Sequence, residues 1–119
     1  MNKAGRVASY LGHILHAIER IDRYTAEMDE LVFLANELVQ DAVIRNIEII
    51  GEAANNILRA DPEFAARHDH IPWLVMYTMR NRVSHGYDKV DMEVVWNTVQ
   101  RDLPLLHAQI APLVADVGP

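Results

Sequence analysis

Apolar residues recur at helical spacing through almost the whole chain. Val7, Leu11, Ile14, Leu15, Ile18 and Ile21 repeat every three or four positions, which predicts a helix from about Arg6 to Glu27. Asp29-Glu30 interrupts the pattern, with Asp29 placed to cap the next helix. From Leu31 to Leu58 the apolar pattern hardly pauses, and it resolves into two stripes. One holds Leu31, Leu34, Leu38, Ala42, Ile49 and Ala53; the other holds Val39, Val43, Ile47, Ile50, Ala54 and Ile57. A surface helix of a monomer needs one such stripe. Two predict burial on more than one side, as the central helix of a bundle and as part of a subunit interface. Gly51, midway along, costs helix propensity, and a close approach by another backbone would explain it.

Asp61-Pro62-Glu63 combines a capping side chain, a proline at the first helical position and an early acid, so a short helix is expected through about Arg67. His68-Asp69-His70 reads as a loop, and Ile71-Pro72 opens a further helix that ends near Gly86. Lys89-Val90-Asp91 leads into a last helix carrying Met92, Val95, Trp96, Val99 and Leu103. Pro104 is expected to kink it. Leu105, Leu106, Ile110 and Leu113 continue its apolar face, and Pro112 with the tail from Val114 is expected to end it. No segment alternates with a period of two. The pattern predicts one all-α domain over residues 1–119, a largely antiparallel bundle of four main helices with an extra short helix.

Half of the 119 residues are hydrophobic, which suits a packed core and argues against disorder. Cysteine is absent, excluding disulfides and thiolate metal sites and fitting a reducing compartment. The start of the chain, Met1 to Arg6, leads into an amphipathic segment with His13, His16, Glu19 and Arg20, unlike a signal peptide or a membrane span. A cytoplasmic protein without membrane contact is expected. The formal charge of −6 argues against a protein that coats duplex DNA, yet it permits one local basic pocket.

Such a pocket has one candidate. Arg80-Asn81-Arg82-Val83-Ser84-His85-Gly86-Tyr87 gathers two guanidiniums, an amide, a hydroxyl, an imidazole and a phenol at the end of one helix and the start of a loop. Arg80 and His85 are five apart, so on an unbroken helix they would be about 140° apart around the axis and about 7.5 Å along it. They converge only if the helix ends near Ser84 or if a second copy completes the site. Arginine offers a planar fork for phosphate oxygens, and histidine moves protons near neutral pH. The pair suffices for RNA cleavage without a metal, with Asn81 or Ser84 orienting either group. Spacing alone equally allows a helix C-terminus decorated with basic residues that favour its dipole.

Other polar residues have plainer readings. His13 and His16 have a spacing that suits metal ligation, but nothing places a third ligand beside them. His68 and His70 flank Asp69 in the same ambiguous way. Glu48 and Glu52 are like charges four apart, with Arg45 available to pair with Glu48 and Glu52 a candidate near the cleft. Trp73 and Trp96 read as core or interface aromatics. Neither a metal nor a cofactor is expected.

Arg80-x-x-x-x-His85-x-Tyr87 resembles the R-x4-H-x-Y signature of HepT-like proteins, within the HEPN group of helical domains. Asp41 to Ala53 resembles the family's long helix, Ile71 to Asn81 its motif helix, and Val94 to Pro104 its last helix, so the resemblance spans nearly all the chain. It implies a homodimer with a composite site at the interface, acting as a metal-independent ribonuclease toxin of a two-gene toxin–antitoxin pair. It also implies Arg80 and His85 as the catalytic pair, Asn81 in support, and Tyr87 as the residue to which a minimal nucleotidyltransferase antitoxin transfers AMP. The same octet fits a second role, a non-catalytic nucleotide-binding subunit that docks a nucleotidyltransferase. A third, a purely structural adaptor, would leave Arg80 and His85 replaceable.

Overall fold

The computed structural model describes residues 2–84 and 90–117, with side chains described except at 80–84 and 116–117. Among the described residues every regular element is helical. Helix α1 runs Lys3–Thr25, a turn earlier than its apolar stripe suggests, because Asn2 caps it: the Asn2 carboxamide oxygen accepts the Gly5 N–H at 2.7 Å. Val7, Leu11, Ile14, Ala17, Ile18 and Ile21 form its buried face.

The single helix expected from Leu31 to Leu58 is two. Asp29 caps α2 (Glu30–Leu34), accepting the Val32 N–H at 2.9 Å as expected. The chain then turns at Ala35 and Asn36, and α3 spans Glu37–Ala60. Asn36 caps α3 through the Val39 N–H, at 3.0 Å. Buried Gln40 donates its amide to the carbonyls of Phe33 and Leu34, at 2.9 and 3.1 Å, so the end of α2 is not left with unpaired acceptors. The break lets Phe33 drop fully into the core against Trp96, with ring centroids 5.2 Å apart.

Helix α3 is central, packed against α1 on one side and α5 (Trp73–Ser84) on the other. Of its two stripes, Val43, Ile47, Ile50, Ala54 and Ile57 are buried within the chain. The other is not: Leu31 and Leu38 are 78 % and 81 % exposed, and of that stripe only Ala53 is buried. One polar joint crosses the α1–α3 contact. Arg20 Nε donates to the Asn46 carboxamide oxygen at 2.8 Å, and the Asn46 amide donates to the Ala42 carbonyl at 2.8 Å. Asn46 is buried, so Asn46→Ala strands the guanidinium of Arg20 and is expected to destabilise the fold by about 1–3 kcal/mol, measured by urea denaturation.

Asp61 ends α3 and starts α4 (Pro62–Arg67): its N–H bonds the Ile57 carbonyl at 2.9 Å and its carboxylate accepts the Phe64 N–H at 3.1 Å. The Trp73 indole N–H then ties the start of α5 to the His68 carbonyl at 3.1 Å. Asp91 caps α6 (Met92–Asn97). A π-helical turn, Thr98–Asp102, joins α6 to α7 (Leu103–Val117). That turn takes the place of the expected kink at Pro104. A proline lacks the N–H for a bond to the carbonyl four residues back and crowds that carbonyl, here Gln100; the wider π turn containing Gln100 relieves both. Pro112 does not end the helix either, since α7 continues to Val117. The bundle thus has four main helical runs, α1, α3, α5 and α6–α7, and two short helices, α2 and α4, where one was expected.

Candidate active site

The octet sits at the end of α5, and its helix is held firmly at the other end. Trp73 and Met76 are buried against the core, while Leu74 and Val75 on the outer face are 66 % and 64 % exposed. Arg80 stands seven positions after Trp73 and four after Met76, so its backbone position continues the buried register of α5. Asn81 follows in the last turn, and α5 remains helical through Ser84, so nothing up to that residue relaxes the separation that an unbroken helix imposes. His85, Gly86 and Tyr87 lie outside the described residues, as do the side chains of Arg80 and Asn81.

The level of Arg80 along α3 follows from the packing. Leu58 lines the same groove as Ile71, Trp73 and Leu74, an opening of about 440 Å³ between α4 and α5. The chain reverses between α3 and α5, so seven residues on from Trp73, about 10 Å at helical rise, correspond to seven back from Leu58. Arg80 is therefore level with Gly51, which is buried on α3. Beside it opens a polar cleft of about 350 Å³ lined by His13, Arg45, Glu48, Ile49, Glu52, Ala53 and Asn56. The functional candidates Arg80 and Glu52 thus come to one level of the bundle, which sequence spacing alone did not disclose.

The remaining histidines resolve differently. His13 makes an edge contact with the Tyr10 ring, centroids 6.2 Å apart, and His16 is exposed on the same helix. His68 packs on Phe64 at 4.7 Å and against His70 at 6.0 Å. Among the described residues no cluster of three or more His, Asp or Glu side chains is arranged to hold a metal ion. Nor do Arg45 and Glu48 form the ion pair that their spacing suggested. Trp73 and Trp96 are core residues, as read.

A pairing invisible in the sequence joins α1 to α7: His107 Nε2 lies 3.1 Å from a Glu19 carboxylate oxygen across 88 positions. The hydrogen bond from His107, aided by the charges of His107, His16 and Arg23, holds the Glu19 carboxyl below the usual carboxylate range. A lowered folded pKa contributes stability above the unfolded value of 4.5, lost as pH falls through the folded one. The site is exposed, so the effect is small. His107→Ala is expected to return the Glu19 titration midpoint upward, read by carboxyl NMR.

A family model described as Ribonuclease HepT-like matches residues 14–113, from the middle of α1 nearly to the end of α7 and through the whole octet. The chain belongs to the HepT-like family. It is 42 % identical over 104 residues to a Thermococcus cleftensis protein named "Probable ribonuclease HepT", covering 87 % of this chain and 92 % of that protein. It is 40 % identical over 111 residues to a Methanocaldococcus jannaschii protein whose name pairs a gamma-glutamylcyclotransferase with an RNase. That match takes in 93 % of this chain but 49 % of the relative, so the chain spans about half the relative's length. No solved structure is a significant match to the chain. HepT-like membership bears out the resemblance carried by the octet and its flanking helices. No helix among the described residues is long and apolar enough to cross a membrane.

Proposed function

We propose that this HepT-like chain is an endoribonuclease toxin that needs no metal, with Arg80 and His85 as its catalytic pair at a site completed by a second copy. The observation that carries this reading is the match to the ribonuclease family across residues 14–113, with Arg80, Asn81, His85 and Tyr87 all inside it. In the reaction, His85 takes the proton of an RNA 2′-hydroxyl as its oxygen attacks the adjacent phosphorus. The bond from phosphorus to the 5′-oxygen breaks, that oxygen regains a proton, and a 2′,3′-cyclic phosphate remains. Arg80 stabilises the charge that builds on the phosphoryl oxygens. Asn81 supports one of the two. The level of Arg80 beside a polar cleft gives the chemistry access to solvent and substrate.

The second copy is supported by the surface that the fold leaves uncovered. Leu31 and Leu38 near one end of α3, and Leu74 and Val75 on α5, are large apolar side chains more than half exposed. A homodimer covering either patch places two copies of the octet within one assembly. The antitoxin in this reading is a nucleotidyltransferase that attaches AMP to Tyr87, two residues from His85, where added phosphate repels RNA. The acidic balance of −6 favours one other reading, a subunit that accepts or binds a nucleotide without turnover.

The test combines sedimentation at micromolar concentration with an RNA cleavage assay in chelator. A dimer that cleaves RNA is the expected result. A strict monomer contradicts the shared site, and a folded dimer inert on several RNAs moves the reading to the nucleotide-accepting subunit. Intact-mass measurement after co-expression with a nucleotidyltransferase is expected to show AMP on the wild type and none on Tyr87→Phe.

A further inference from the structure

We propose that Glu52 is the positioning residue for Arg80, an inference that rests on the catalytic role proposed for that arginine. Helices α3 and α5 run in opposite directions and pack along their lengths. The groove shared by Leu58, Trp73 and Leu74 sets their register, which brings position 80 level with Gly51 and, one residue on, Glu52. Position 80 lies on the buried register of α5, so a cation there stands at the margin of an apolar core. Such a charge calls for a partner, and the carboxylate of Glu52 is on the adjoining face of α3, lining the polar cleft. Gly51 is buried at this level, and its missing side chain leaves room between the two helices for the long arginine stem. That gives the glycine a purpose other than backbone contact.

Arginine suits the arrangement because its fork has two usable edges. A carboxylate on one edge fixes the plane of the guanidinium and leaves the other edge for a phosphate. The neighbours in the cleft serve this pairing less well. Glu48 is about 6 Å further along α3 at helical rise, level with Val83, while Arg45 and His13 bring positive or neutral groups. Glu52 therefore touches neither RNA nor the reacting atoms; it acts through Arg80.

The test reads Arg80 directly, independently of catalysis. The Nε–H resonance of Arg80, assigned in the full-length protein by its loss in Arg80→Lys, is compared in the wild type, Glu52→Gln and Glu48→Gln. Glu52→Gln is expected to shift this resonance and speed its solvent exchange, while Glu48→Gln leaves it in place. On RNA, Glu52→Gln is expected to lower kcat by roughly 10- to 100-fold with KM within about twofold, the signature of a misplaced group. An Arg80 resonance unchanged in folded Glu52→Gln overturns the pairing whether or not the wild type cleaves RNA. A resonance that moves in a protein inert on RNA upholds the pairing and refutes the nuclease reading instead.

Discussion

His85→Ala is expected to cleave RNA about 10²- to 10⁴-fold more slowly than the wild type, the usual worth of a positioned general acid or base. Arg80→Ala is expected to lose a similar factor through uncompensated charge on the phosphoryl group. The two losses differ in what they leave behind. His85 follows the last described residue of α5 and precedes the cap of α6 at Asp91, outside any described helix, so its replacement is expected to leave the melting temperature nearly unchanged. Arg80 lies within α5 on its buried register, and its replacement by alanine removes a long side chain beside the core. Cleavage rates and thermal melts of both variants, measured together, separate lost chemistry from lost structure. If His85→Ala folded and retained full cleavage, the imidazole would have no part in the reaction.

The largest effect on stability is expected from Ile50→Ala. Ile50 is fully buried near the middle of the helix that both α1 and α5 pack against. Removing its outer carbons costs their transfer energy plus a cavity, about 2–5 kcal/mol in total. At about 4 °C per kcal/mol for a chain of this size, the melting temperature falls by roughly 8–20 °C. Leu38 is the instructive contrast, since it belongs to the other stripe of the same apolar run. At 81 % exposed, Leu38→Ala is expected to change the stability of an isolated chain by no more than about 0.5 kcal/mol. Any larger loss that grows with protein concentration would place Leu38 in a subunit interface, because linkage makes such stability depend on association.

The sequence disclosed the helices wherever a local cause acts. Asp29, Asp61 and Asp91 each accept a backbone N–H from within their own first turn, so a cap of that kind is legible without tertiary information. The break at Ala35 and Asn36 was hidden because apolar spacing runs straight through it. What decides it is nonlocal: Phe33 gains a place against Trp96, and Gln40 bonds the carbonyls that the break exposes. Pro104 and Pro112 were read by the local cost of proline alone. The π turn absorbs one, and α7 continues through the other. The doubled stripe was half right within the chain, since one stripe forms the core and the other stays on the surface.

The candidate site was legible as a motif but not as a place. Eight adjacent residues advertise phosphate chemistry, yet only the packing of α5 on α3 shows which α3 residues share its level. Glu52 and Gly51 lie almost thirty positions from Arg80, and no spacing rule connects them. The same holds for Glu19 and His107, joined only because α1 and α7 pack together.

The central claim is that this HepT-like chain cleaves RNA with its own side chains. The most direct measurement incubates the purified wild-type protein with end-labelled RNA in chelator and identifies the product termini. New fragments ending in a 2′,3′-cyclic phosphate, paired with free 5′-hydroxyls, are the predicted result. Intact RNA from a well-folded dimer, or cleavage that appears only when a divalent metal is restored, would contradict it.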